Sequence, residues 1–285
     1  MLENQIILDR TLRKALEEDL GAGDLTTNAI IDPGRQASAS LWAREAMVLA
    51  GLHVFSRVFR LLAPEMTFQV YFEEGRFVPE GEKICQITGP ANAILKGERT
   101  ALNFLQRMSG IATLTKSYVE KVGSQKVRLV DTRKTAPGLR LFDKYAVRMG
   151  GGFNHRLGLY DGILIKDNHI SAAGSVTNAV RLAKQGSPHT LKVEVEVEDL
   201  KALEEAIEAG ADAILLDNMA PPMLKEAVKL SGGRVLLEAS GGINLKNIEE
   251  IAKTGVDIIS VGALTHSAKA VDVSLEMAPF ESPHP

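Results

Sequence analysis

Five basic residues stand in three short stretches of the chain: Arg133 and Lys134 in DTRKTAPGLR, His155 and Arg156 directly after GGGFN, and Lys166 at the end of the apolar run GILIK. Arginine presents a planar fork that matches a carboxylate or a phosphate, whereas lysine supplies a point charge. The glycines ahead of His155 let backbone and ligand come close, and Pro137 and Gly138 shape the loop after Lys134. Taken singly, each Arg or Lys reads as a weakly coupled surface ion pair, and His155 reads equally well as a packed structural histidine. Taken together they describe a pocket for a small ligand with several negative charges. From Asp131 to His169 seven Lys or Arg face four Asp, a net +3 on a chain whose total is -3. Such an island attracts an anion that the remaining surface repels.

A second set consists of charges that close apolar runs: Asp131, Lys166, Glu196, Asp217 and Glu238. If the runs are parallel strands, their carboxyl ends open on one face and all five groups converge on one cavity. The plainer reading of any one is a solvated loop residue. In VEVEVE, alternation sends Glu194, Glu196 and Glu198 to one face and three valines to the other. Carboxylates inside a barrel need partners, and a cationic pocket supplies them. Two glycine-rich turns follow the last two runs, EASGGI with Ser240, Gly241 and Gly242, and SVGALTHS with Gly262 and Ala263. An isolated pair of glycines is simply a tight turn; two such turns in consecutive final loops suit a phosphate held by backbone N–H groups. His53, His169, His189, His266 and His284 have no Cys or His neighbours at zinc spacing and receive no role.

The elements that must position these groups form two textures. Over the first 110 residues, strands (SASLWAREAMVLAG, TFQVYFEEG, KICQITGP) mix with helices. LKGERTALNFLQRMSGIATLTKSYVEKV then places Leu102, Leu105, Met108 and Ala112 on one helical stripe, with Arg99 near its start. Beyond it, VRLVD, GILIK, KVEVEV, AILLD, RVLLEAS and DIISVG alternate with amphipathic stretches such as EDLKALEEAIEAG, the pattern of βα units around a parallel sheet. Six strands leave a closed barrel and an incomplete one equally open. The expected division is 1–110 and 111–285, with a C-terminal tail of unassigned packing.

At 285 residues with 45% hydrophobic and 24% charged residues, the composition is that of an ordinary globular protein. One cysteine, Cys85, closes no intrachain disulfide, which points to a reducing, cytoplasmic setting. No signal-like N-terminus and no membrane-length apolar run is expected. The net charge gives no reason to expect nucleic acid or membrane as partner.

The segments EDLGAGDLTT, GERTALNFLQRMSGIAT, DTRKTAPGLR, KYAVRMGGGFNHRLGLYDGILIKDNHI, VEVEVE, ILLDNM, EASGGI and ISVGALTHS, in this order from about residue 18 to 267, resemble the quinolinate phosphoribosyltransferases. The resemblance implies an N-terminal α/β sandwich and a C-terminal open (β/α) barrel of about seven strands. It implies transfer of phosphoribose from phosphoribosyl pyrophosphate to quinolinate with decarboxylation, giving nicotinate mononucleotide, pyrophosphate and carbon dioxide. By that analogy Arg133, Lys134, His155, Arg156 and Lys166, with Thr132, surround quinolinate. Glu196, Asp217, Ser240, Gly241, Gly242 and the loop Ser260, Val261, Gly262, Ala263 face phosphoribosyl pyrophosphate. Lys166, Glu196 and Asp217 carry the chemistry, and Mg²⁺ arrives on the pyrophosphate, bound to no dedicated protein site. The resemblance also implies a homodimer in which Arg99 serves the neighbouring chain's site. Two rivals remain on residues alone. A lone lysine closing a barrel strand suits a Schiff-base aldolase, and the same loops suit a noncatalytic phosphosugar-binding module. A molybdenum-associated relative of the same fold is a third alternative, disfavoured by the intact GGGFNHR.

Overall fold

The computed structural model describes residues 5–278, so His284 lies outside the described residues. The described residues form two compact units, one from the residues up to Leu114, 137–151 and those from Ala268 on, the other from 115–136 and 152–267.

In the first unit a four-stranded antiparallel sheet has the order Val273–Met277, Gln36–Ala43, Lys83–Pro90, Thr67–Val70. The strand Gln36–Ala43 buries alternate residues, Ala39, Leu41 and Ala43, as a one-sided sheet requires. SASLWAREAMVLAG is not one strand. It breaks after Ala43, and Met47–Val48 pairs instead with Phe77–Val78 in a separate two-stranded sheet. The helix Gln5–Leu20 buries Leu8, Leu12 and Leu16, one stripe at four-residue spacing. It packs on the helix Leu52–Leu62, to which the fork of Arg57 ties Asp9 by two 2.7 Å hydrogen bonds. The tail assigned no packing from sequence supplies the edge strand Val273–Met277, paired antiparallel with residues 39–43.

The helix Ala91–Val122 gives its residues to Leu114 to the first unit and the rest to the second. The helix Arg140–Met149 belongs to the first unit, where the Asp143 carboxylate, fully buried, accepts two 2.8 Å hydrogen bonds from the guanidinium of Arg107. Arg140, Lys144 and Arg148, part of the cationic island in the sequence, therefore lie on this helix and not in the loops of the second unit.

The second unit holds the parallel sheet, in the order Arg128–Val130, Ile258–Ser260, Leu236–Ser240, Ala213–Asp217, Val193–Val197, Ile163–Ile165. All six expected βα strands are present, and the α/β class with its open barrel domain stands. A seventh position is a single parallel bridge from Phe153 to Val130. Among the described residues Phe153 does not pair with Ile163–Ile165, so the sheet stays open there. Local chemistry sets the crossover helices. Asp199 caps Leu200–Glu208 through Ala202 N (2.7 Å), Ser175 caps Val176–Gly186 through Asn178 N (3.1 Å), and prolines open Pro221–Ser231, which ends at left-handed Gly232. In Val193–Val197 the three valines are buried and the two glutamates are not, the alternation expected when one face meets helices and the other lines a cavity.

Candidate active site

Side-chain parity decides what the cavity contains. Strand partners Glu196, Leu215 and Glu238 lie side by side across three strands, and Asp217 pairs with Ser240 one step toward the carboxyl ends. All five therefore share a face. Thr132, Arg133, Lys134, His155, Arg156, Leu164, Lys166, Glu196, Leu215, Asp217, Glu238, Ser240 and Ser260 line one cavity of about 400 Å³ within the second unit. Three loops far apart in sequence thus bring the basic residues to one place. A neighbouring cavity of about 310 Å³ shares Thr132, Lys134, Ser240 and Ser260 and adds Gly241, Gly242, Ile243, Val261, Gly262, Ala263 and His266.

The basic wall is locally built. Arg156 Nη1 donates to Gly162 O (2.8 Å), and the Asp161 carboxylate accepts from the backbone of Leu157 and Gly158, which fixes the loop between them. Burial and the like charge of Arg133 lower the Arg156 guanidinium from its ordinary range, with Glu194 and Asp161 pulling the other way. Lys166 is ion-paired with Glu196. Its backbone N–H donates to His169 Nδ1 (2.9 Å), so His169, given no role from sequence, caps the helix Asp167–Ala173. Thr265 Oγ1 donates to Lys134 O (2.8 Å), tying the first loop of the cavity to the last.

The glycine-lined cavity depends on missing side chains. Gly241 has φ +89°, and a Cβ there would lie 2.2 Å from Asn218 Oδ1. Asn218 itself is left-handed (φ 55°), which asparagine tolerates. Its N–H donates to Ser240 O and its side-chain amide to Asp217. A Cβ on Gly262 would press on Lys134 Cδ at 3.0 Å.

Beneath the basic wall sits a trio that the sequence only partly signalled. His155 Nδ1 accepts the Arg156 backbone N–H (2.7 Å), which leaves Nε2 as the protonated nitrogen of the neutral ring. Nε2 lies 3.2 Å from Glu194 and 3.6 Å from Glu238. Glu238 is 2% exposed, and burial first, then the charge of Glu194, push its carboxyl up to about 7, against a smaller lowering by His155. Among the described residues these three form the one grouping of metal-ligand types, within 4.8 Å of one another. The Nε2 proton stands where a cation would have to go, so we read the trio as proton-sharing.

Asp131 does not join the cavity. It follows the strand Arg128–Val130 and is fully buried, and its carboxylate accepts from His155 N (2.9 Å) and Asn154 Nδ2. Arg99 lines a different cavity, in the first unit, with Glu18, Asp19, Thr100 and Asn103. Glu194 and Glu238 were visible in sequence only as an alternation and a strand end, and His266 only as a neighbour of the last glycine turn. Their convergence needs the fold.

Comparison with known proteins gives one answer across the chain. The profile of the quinolinate phosphoribosyl transferase N-terminal domain matches residues 24–109, and that of the C-terminal domain matches 111–276. A Bacillus subtilis protein described as a probable nicotinate-nucleotide pyrophosphorylase [carboxylating] is 44% identical over 275 residues, 96% of this chain and 94% of the relative. The crystal structure of NadC from Streptococcus pyogenes superposes with TM-score 0.95 at 47% identity, covering 99% of this chain and 100% of that one. The nicotinate-nucleotide pyrophosphorylase of Francisella tularensis superposes with TM-score 0.91 at 43% identity, covering 95% and 96%. With both domain profiles matched in sequence order and relatives aligned over nearly their whole length, this chain belongs to the quinolinate phosphoribosyltransferase family.

Proposed function

We propose that the two adjoining cavities of the second unit hold quinolinate beside phosphoribosyl pyrophosphate. The chain is a quinolinate phosphoribosyltransferase (decarboxylating), a pentosyltransferase that makes nicotinate mononucleotide for NAD biosynthesis. The observation that carries the site assignment is the convergence of Arg133, Lys134, Arg156 and Lys166 on one cavity that continues into a glycine-lined one.

Quinolinate carries two carboxylates on adjacent ring carbons, and the basic wall neutralises and orients both. Lys166 is pre-paired with Glu196. A substrate carboxylate that takes over Lys166 frees Glu196 to face the ribose, with Asp217 on the adjacent strand, beside Ser240. As the ring nitrogen approaches the anomeric carbon and pyrophosphate departs, positive charge grows on the sugar, which these carboxylates stabilise. The backbone of Gly241, Gly242, Gly262 and Ala263, with Ser240 and Ser260, cradles phosphate. Magnesium belongs to the substrate, carried on the pyrophosphate, where it stabilises the leaving charge. No side chain need act as nucleophile; fixed orientation of the two reactants supplies much of the acceleration. The guanidinium groups around Lys166 disfavour a Schiff-base role, since they match an anion and not a carbonyl.

The proposed assembly is a homodimer in which Arg99 completes the partner's site. Ile6, Leu25 and Ile30, all more than two-thirds exposed in the first unit, support a partner surface there. A cytoplasmic setting is supported by the single free thiol, Cys85, buried and pushed up to about 11 by that burial. No described helix is long and apolar enough to cross a membrane. The deciding experiment measures pyrophosphate release with quinolinate against nicotinate. Release with quinolinate alone is expected; equal use of both, or none, overturns the assignment.

A further inference from the structure

The reaction removes the ring carboxylate next to the pyridine nitrogen and leaves a C–H bond in its place. When the C–C bond to that carboxylate breaks, carbon dioxide leaves and the electron pair stays on the ring carbon, held by the adjacent quaternary nitrogen. That carbon must then take up one proton, and the basic wall has none to spare. Guanidinium groups do not deprotonate in proteins, Lys166 is taken up by a substrate carboxylate once quinolinate is bound, Lys134 also borders the glycine-lined cavity read as the phosphate cradle, and His155 has Nδ1 accepting a backbone N–H and Nε2 turned to two carboxylates.

We propose that Glu238, on the wall of the same cavity, is the acid that delivers this proton. The proposal rests on the reading of the cavity as the quinolinate site. Glu238 lines it together with Arg133, Arg156 and Lys166, and is nevertheless 2% exposed. Its Oε1 has no hydrogen-bond partner, and neither has the hydroxyl of Ser260, which lies near enough to ease the carboxylate charge slightly without a bond of normal geometry. A buried carboxyl oxygen without a partner is costly as an anion and far less so as an acid. The neighbouring charge of Glu194 acts in the same direction, so the acid form of the group persists far above the usual carboxylate range. After transfer, the new carboxylate faces the Nε2 proton of His155, and water returns the proton once product leaves. Atoms balance: one C–C bond breaks, one C–H and no other bond forms, and the solvent supplies the proton through Glu238.

The groups facing Glu238 are His155 and Glu194 beneath, Ser260 on one flanking strand and Leu215 and Ile258 as its ladder partners. Across the cavity stand Lys166 with Glu196, Asp217, Lys134 and the two arginines. The test separates two products in one rapid-quench experiment. Glu238→Gln keeps the shape, and removes the acid. Carbon dioxide release should fall by about 100-fold or more, the scale of general acid catalysis, while pyrophosphate release falls far less and the dicarboxylated nucleotide accumulates. Equal losses of both products, or unchanged carbon dioxide release, would overturn the proposal. If the variant does not fold, the wild-type enzyme answers the same question: the dicarboxylated nucleotide should build up as pH rises above 7, and a partition independent of pH refutes the acid. Failure of pyrophosphate release from quinolinate in the wild type instead refutes the site reading itself.

Discussion

Lys166 at the end of one strand and Glu196 inside the next form an ion pair across the parallel ladder Ile163–Ile165 to Val193–Val197. The pair links the group read as gripping quinolinate to the group read as facing ribose. On that reading, quinolinate binding and the readiness of the ribose side are coupled through this pair.

Removing that lysine should tell on one substrate. Lys166→Ala is expected to raise the quinolinate KM about 10- to 100-fold, the scale of one charge-assisted hydrogen bond, with the phosphoribosyl pyrophosphate KM changed much less. Because Lys166 is nearly half exposed, stability should move little. Steady-state kinetics with each substrate varied separately check this; unchanged kinetics remove Lys166 from the site.

The glycine turn makes the opposite split. Gly241→Ala must hold φ +89° and bring a Cβ to 2.2 Å from Asn218 Oδ1. A stability loss of about 1–3 kcal/mol is expected, together with a higher KM for phosphoribosyl pyrophosphate and little change for quinolinate. Denaturant melts and kinetics on the same preparation measure both.

Mixed dimers address Arg99. Combining Arg99→Ala chains with Lys166→Ala chains should rebuild one whole site in each mixed dimer, about one quarter of wild-type sites at equal mixing. Activity that stays at the level of the separate variants contradicts a shared site.

Glu238 also predicts a pH dependence of stability. Its folded carboxyl is raised to about 7 from 4.5, so the folded state binds the proton more tightly than the unfolded one. The stabilisation is complete below the unfolded value and is lost as pH rises through the folded one. Relative to Glu238→Gln, the wild-type Tm should therefore decline between pH 4.5 and 7, by on the order of 2–4 °C for each kcal/mol. Parallel calorimetric scans check the slope; a flat difference between the two proteins contradicts it.

The βα half of the fold was legible because each buried parallel strand is a short β-branched run bounded by glycine or a charge. Phe153 was not, since a single bridge to Val130 leaves no periodic pattern. Val273–Met277 has readable alternation, but its partner stands far away in sequence. The basic residues that entered the cavity, Arg133, Lys134, His155, Arg156 and Lys166, were recognisable by clustering. Clustering also swept in Arg140, Lys144 and Arg148, because sequence proximity does not show that the chain leaves the second unit at Pro137 and returns at Gly152. The trio of His155, Glu194 and Glu238 joins three segments only through side-chain direction and depth, which single-sequence patterning does not contain.

Trp42 pairs with Ser274, so the first antiparallel sheet receives its border from nearly the last residues described. During synthesis the strand Gln36–Ala43 emerges from the ribosome long before its neighbour exists, with a row of amides open to any extended peptide. Cutting a gene for this protein at the boundary of its first domain would leave that edge bare permanently, so the two halves cannot be exchanged between relatives without carrying the final strand along.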